Sequence, residues 1–257
     1  YFGASKGHSA GHNSNPHMKA AADARARGMK MVVIDPFCNF AAAKATNWVP
    51  IRIGTDAALA LGMANLMVNE LGLYDAAYLK AKTNAPYLIG PDQRYVRDAE
   101  TDKPLVWDEA TGKAVPWDRA NAADMALKGA FEAAGVACKP AFQLLAEHLE
   151  TYTPEKAEEI STVPAADVRR LAHEFGTEAR IGSTIVIEGV EIPYRPVAAV
   201  AFKGSNGHKN AAYNMQAVDL LNQLVGAADV VGSALGFNPV CHGYPETGRL
   251  RYVPHPD

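Results

Sequence analysis

Cysteine is scarce in this chain: Cys38, Cys138 and Cys241 are the three among 257 residues, and no Cys-x-x-Cys pair occurs. That spacing excludes a self-contained iron–sulfur or zinc framework and leaves an odd thiol. An excess of one charge is also missing. The formal net charge of −3 gives no basic footprint for nucleic acid. No apolar run approaches the roughly 18–20 residues needed to cross a bilayer, so no direct membrane span is expected. No Gly-x-Gly-x-x-Gly joins a strand to a helix, and the Gly-Lys-Ser/Thr order of a P-loop is absent. Internal repeats and low-complexity tracts are lacking. The first residue is Tyr1, and no charged-then-apolar leader is visible.

Residues 29–63 carry the most information. Met-Lys-Met-Val-Val-Ile at 29–34 is a short apolar run ending at Asp35, and a second run over 49–53 leads through Gly54 and Thr55 to Asp56. Continuous apolar runs suit parallel strands buried on both faces, and open α/β sheets bind ligands outside the carboxyl ends of their strands. Two carboxylates delivered to that edge can accept hydrogen bonds from ribose hydroxyls or from the N–H edge of a purine.

The pattern predicts a helix over about 16–27 stopped by Gly28, strands over 30–34 and 49–53, and a helix from Thr55 or Asp56 to about 71 stopped by Gly72. Leu59, Met63, Leu66 and Met67 form an apolar stripe at helical spacing, which reads as core. Between 84 and 121, four prolines and two tryptophans interrupt a charged stretch, which reads as an irregular excursion or short hairpin. Helices follow over about 122–134, 140–150, 154–160 and 165–178, then a strand at 184–188 and a last helix at 210–225. Helices alternating with strands argue for an α/β fold with a mainly parallel sheet flanked by helices.

Asp35 is the strongest single candidate, because a carboxylate beside an apolar strand end needs donors. A ligand's ribose or guanine can supply them. So can local backbone N–H groups, helped by Pro36. Gly54, Thr55 and Asp56 combine close backbone approach with the unpaired N–H groups of a helix start; they suit a phosphate or polar base, or an ordinary capped helix. Gly189, after the strand at 184–188, can admit close approach of a cofactor. The loop at 203–208, Lys-Gly-Ser-Asn-Gly-His, reads either as an anion nest or as a solvated turn. His8, His12 and His17 define no fixed face and have no carboxylate nearby, so no metal site is expected from them. No catalytic residue is identifiable: Glu188 and Glu191 do not form an acid–base pair on this pattern.

Ile-Asp-Pro at 34–36, with Trp-Val-Pro-Ile-Arg-Ile-Gly-Thr-Asp-Ala-Ala-Leu-Ala-Leu at 48–61, resembles the molybdopterin oxidoreductase family (the dimethyl sulfoxide reductase superfamily). Leu-Tyr-Asp-Ala-Ala-Tyr-Leu at 73–79 and the helical pair at 152–161 and 163–172 match in the same order, so the likeness covers roughly two thirds of the chain. The resemblance implies a Rossmann-like domain over 1–181 that binds molybdopterin guanine dinucleotide, and part of a second α/β cofactor-binding domain over 182–257. It implies that the opening loop turns against a pterin with Ser5 where Asn is common, and that Asp56 accepts from the guanine edge. Phe37 departs from the family, which often has Arg after Asp-Pro.

By the same resemblance the cofactor carries molybdenum or tungsten. An iron–sulfur cluster and the metal-ligating side chain are expected only outside this segment. The expected protein is therefore the central piece of a larger catalytic subunit. Its partners would be the remainder of that polypeptide and an iron–sulfur electron-transfer subunit. The alternatives are a structural relative in a respiratory complex that has lost the cofactor and, ranked last, a nicotinamide-dependent dehydrogenase.

Overall fold

The computed structural model describes residues 1–5 and 14–233; His8, His12 and Cys241 lie outside them. α1 (Ser14–Ala26) leads to β1 (Val32–Ile34), β2 (Asn47–Val49) and α2 (Asp56–Asn65). β1 and β2 pair in parallel, Val32 against Asn47 and Ile34 against Val49. On the other side of β1, Phe2 bridges Ile34 and also Ala201, again in parallel. Gly3 N–H donates to the Ile34 carbonyl at 3.0 Å, and Phe2 N–H to the Val200 carbonyl at 2.7 Å. Among the described residues, four short segments thus lie side by side in the order 47–49, 32–34, 1–3, 200–202. All run the same way.

This strip is the parallel layer that the sequence predicts; among the described residues one further parallel bridge joins Tyr194 to Val231, and the other named sheets are antiparallel. α3 (Ala76–Lys82) is followed by β3 (Leu88–Ile89), β4 (Leu105–Asp108), β5 (Lys113–Pro116), β6 (Phe131–Ala133) and β7 (Val136–Pro140). These pair antiparallel: β4 with β5, and β3 and β6 on either side of β7. Parallel pairing needs a long crossover, usually a helix, and the short turns of this excursion allow only hairpins. The helix expected at 122–134 is not formed. A 3₁₀ turn covers Ala122–Asp124, and β6 begins at Phe131. Phe131 stacks on Trp107 with ring centroids 4.4 Å apart, beside buried Leu88, Leu105 and Cys138. This packing between distant segments outweighs the helix propensity of the Ala-rich stretch.

The main core is helical. α2 packs against α5 (Pro154–Ser161), α6 (Ala165–Glu178) and α8 (Ala211–Leu224), and touches α4 (Ala141–Leu149). All four residues of the predicted stripe, Leu59, Met63, Leu66 and Met67, are buried with Leu149, Val168, Leu221 and Leu224. Burying each such side chain contributes about 1.5–3 kcal/mol. Local signals place the ends. Thr153 accepts from Lys156 N–H at the start of α5, Asp75 caps α3, and Gly72 follows the π turn Leu66–Glu70 that extends α2.

The expected strand at 184–188 is present as β8 (Thr184–Ile187), but it pairs antiparallel with β9 (Val190–Pro193). Val186 and Val190 are 65% and 60% exposed, so this hairpin lies outside the core. α7 (Lys203–Asn206) is a single turn ahead of α8.

Candidate functional site

The carboxyl ends of the parallel strip bring together segments distant in sequence. Ser5 follows the segment at 1–3, Asp35 follows β1, Gly54 to Asp56 follow β2, and the loop at 203–208 follows 200–202. Gly3 and Gly204 hold this junction closed. Gly204 N–H donates to the Gly3 carbonyl at 2.9 Å. A Cβ on Gly3 would sit 2.4 Å from Ser205 N, and one on Gly204 would sit 2.5 Å from the Gly3 oxygen. Both contacts are with backbone, so neither can give way.

Asp35 is buried. Its Oδ1 accepts from Phe37 N–H at 3.2 Å, and its Oδ2 from the Asn39 side-chain amide at 2.8 Å. The local capping weighed from the sequence is therefore present. A carboxylate has about four acceptor positions, so two bonds leave room for ligand donors. Trp48 Nε1 donates to the Asp35 carbonyl at 3.0 Å and braces the strand end. Pro36 and Phe37 are exposed, with Phe37 at 65%.

Asp56 opens α2 and is also buried. Burial pushes its carboxyl above the ordinary range; its own backbone N–H and nearby His208 pull the other way, and Asp35 adds repulsion. The two candidate carboxylates are thus within electrostatic reach of each other. Asn214 of α8 donates from Nδ2 to Asp56 Oδ2 at 3.2 Å, and its Oδ1 accepts from Ala57 N–H at 3.1 Å. Thr55 precedes α2, and its hydroxyl donates back to the Arg52 carbonyl at 2.6 Å instead of capping the helix. The Ala57 N–H orphaned by that choice is the one Asn214 takes.

The 203–208 loop closes over this helix start. His208 Nδ1 accepts from Asn210 N–H at 3.2 Å, and its Nε2 lies 3.1 Å from the Ser205 carbonyl and 2.9 Å from Asn214 Nδ2. The His208 ring lies 3.6 Å from where a Gly54 Cβ would be, and Gly54 has φ +77°. Asn214 Nδ2 also reaches the Ser205 carbonyl at 3.1 Å. The loop that the sequence suggests as an anion nest is therefore part of the same edge. Asn214 and Asn39 are not singled out by the sequence, since a lone Asn carries no motif and Asn214 lies 158 positions from Asp56.

Ser5 lies beside the junction, and its buried Oγ has no hydrogen-bond partner among the described residues. Gly189 and Glu188 form the two-residue turn between β8 and β9, at φ +50° for Glu188 and +80° for Gly189. Those angles are the type I′ turn of a hairpin. No group of three or more metal-ligating side chains occurs among the described residues. A cavity of about 710 Å³ opens at the opposite, amino end of the strip, lined by Met29, Lys30, Met31, Pro196 and Val197. It contains neither candidate carboxylate, and the strand-end rule favours the other edge. No helix among the described residues is long and apolar enough to cross a membrane.

Comparison with known proteins agrees with the family resemblance. The molybdopterin oxidoreductase family model matches residues 10–248. A sulfite dehydrogenase subunit from Allochromatium vinosum is 32% identical over 250 residues, covering 86% of this chain and 25% of that protein. A selenate reductase subunit from Mesobacillus selenatarsenatis is 30% identical, covering 89% of this chain and 22% of that one. The solved structure of acetylene hydratase from Pelobacter acetylenicus aligns over 86% of this chain and 20% of its own with a TM-score of 0.51. At 23% identity that likeness is one of fold. The chain spans about a quarter of the length of the curated relatives it matches. With the family model matched over nearly its whole length, this chain belongs to the molybdopterin oxidoreductase family.

Proposed function

We propose that this chain is the central segment of a molybdenum or tungsten bis(molybdopterin guanine dinucleotide) oxidoreductase catalytic subunit. In this reading its strip edge holds the guanosine end of one dinucleotide. The observation that carries it is the pair of buried carboxylates: Asp35, directly after β1, and Asp56, the first residue of α2 in the chain that leaves β2. The donor set fits the group. Carboxylates accept from guanine N–H or ribose hydroxyls, and Ser5 Oγ is a buried hydroxyl without a partner among the described residues.

When bound, the group supplies two-electron redox chemistry at its metal. The chain's own part is to bind and orient. Asp35, Pro36, Gly54, Thr55 and Asp56 would line the guanosine end, and Ser5 would face the pterin side. Residues 1–181 would form the first cofactor-binding domain and 182–257 the start of a second, with α8 as the contact between them. The metal ligand and any iron–sulfur cluster would come from other parts of the polypeptide. Several relatives are each named as one subunit of their enzyme, which supports a further subunit here.

A second reading, a relative that kept the fold and lost the cofactor, draws on one observation: both Asp35 oxygens already have local donors. Guanine nucleotide and metal content per folded protein in the intact subunit decide between the two. Asp35→Ala and Asp56→Ala are expected to lower occupancy while the fold persists. Full occupancy in both variants would overturn the proposed site; neither metal nor pterin in the unaltered subunit would favour the second reading.

A further inference from the structure

Asp75 is a third buried carboxylate, and its surroundings differ from those of Asp35 and Asp56. Its Oδ2 lies 2.6 Å from the Arg195 guanidinium, so its charge is neutralised within the protein. Among the described residues, Asp35 and Asp56 have no such cation bonded to them. Each is held by a neutral, buried asparagine instead, and the two arrangements repeat the same pattern. Asn39 donates to Asp35 Oδ2 and accepts from Ala42 N–H at 3.0 Å; Asn214 donates to Asp56 Oδ2 and accepts from Ala57 N–H. In both, the backbone N–H at the start of a helical turn fixes the amide oxygen, and this obliges the amide nitrogen to face the carboxylate.

A neutral amide orients a carboxylate without discharging it. The negative charge is left for another donor, and a buried uncompensated charge is costly unless that donor arrives. We propose that Asn39 and Asn214 are paired positioning residues that hold Asp35 and Asp56 ready for a ligand presenting an N–H edge. This rests on the reading of the strip edge as a guanosine site. Asn214 carries a further consequence. It belongs to α8 and also bonds the Ser205 carbonyl, so the site is complete only when the loop at 203–208 and α8 are docked on α2. The charged and titratable groups acting on Asp56 are His208, from the loop before α8, and Asp35, from the end of β1. Burial already raises the Asp56 carboxyl, as expected of a charge that lacks a cation.

The test uses GDP as a probe of the guanosine end and the unaltered chain as reference. Asn39→Asp and Asn214→Asp keep the oxygen that accepts the backbone N–H, remove the donor to the carboxylate and add a like charge. GDP affinity at pH 7 is expected to fall on the order of tenfold in each. It should return toward the reference value as pH falls, because two adjacent carboxyls take up a shared proton that replaces the lost donor. Asn39→Ser and Asn214→Ser guard against misfolding. They lose the reach of the amide without adding charge, and should weaken GDP binding with no new pH dependence. If the Asp and Ser variants lower thermal stability but bind GDP with unaltered affinity and pH profile, the positioning role is overturned and the guanosine reading stands. If the unaltered chain does not bind GDP, or Asp35→Ala and Asp56→Ala bind it normally, the guanosine reading fails and this inference fails with it.

Discussion

Arg195 and Asp75 form a buried ion pair at 2.6 Å that links residues 120 positions apart. Arg195 also donates to the Val225, Ser183 and Tyr194 carbonyls, while Asp75 caps α3 through Tyr78 N–H. The pair therefore ties the start of α3 to the chain on both sides of α8. Removing one partner strands a buried charge, so Arg195→Met and Asp75→Asn are each expected to destabilise the fold by about 3–5 kcal/mol. Denaturant unfolding measures this. The double variant should lose less than the sum of the two, because neither charge is then left alone. Additive losses would mean that the two side chains act independently.

The Gly3–Gly204 junction gives a sharper contrast. Alanine at either position drives a Cβ into backbone at 2.4–2.5 Å, and only displacement of the 203–208 loop relieves it. Gly3→Ala and Gly204→Ala should each cost about 2–3 kcal/mol or more and weaken GDP binding along with it. Gly207→Ala, in the same loop, meets only the Lys203 carbonyl at 3.3 Å and should change stability by less than about 1 kcal/mol. Equal effects at all three positions would show that the junction is looser than its geometry.

Both the ion pair and the glycine junction join distant segments, and such features mark the boundary of what the sequence reveals. Helix ends are legible where one residue decides them locally, as with Thr153 ahead of α5 and Gly72 after α2. The stripe from Leu59 to Met67 is legible because a helix repeats its buried face. Asp35 can be found as an acid at a strand end and Asp56 as an acid at a helix start. The strand expected at 49–53 is displaced to Asn47–Val49, since register is set by the pairing with β1 and not by the apolar run alone. The helix expected at 122–134 fails because Phe131 answers to Trp107, a partner invisible to local pattern. Asn214 and Arg195 escape a reading of the sequence for the same reason: each acquires its meaning from a residue more than 100 positions away.

The raised Asp56 carboxyl makes a pH prediction with a definite sign. A folded-state value above the ordinary 3.8 means that the folded protein holds this proton more tightly than the unfolded chain. Stability from this group is fully present below about 3.8 and is lost as pH rises through the elevated folded value. Asp56→Asn removes the titration and keeps an oxygen for the Asn214 amide. In the absence of ligand it should raise stability at pH 7–8 by about 0.5–2 kcal/mol, with the gain vanishing toward pH 3. GDP binding should fall in the same variant. Thermal unfolding across that pH range checks the claim, and a gain that persists at pH 3 would show that the carboxyl is not the cause.

Gly189 separates the two reasons a glycine can attract notice in this sequence. Its φ of +80°, with +50° at Glu188, is what a two-residue hairpin turn between β8 and β9 requires. Asn-Gly is the favoured pair for that turn, so Glu188→Asn should stabilise the hairpin by about 0.5–1 kcal/mol. Gly189→Ala forces a Cβ into the left-handed region and should cost about 1–2 kcal/mol. Nothing lies within 4 Å of that Cβ, so the cost is backbone strain alone. Hydrogen exchange at β8 and β9 reads the hairpin, and GDP titration reads the edge near Asp35. If turn geometry is the whole reason for Gly189, exchange quickens in Gly189→Ala while GDP affinity holds. A loss of GDP affinity with the hairpin still protected would instead return Gly189 to the cofactor, for which its freedom of close backbone approach makes it a candidate.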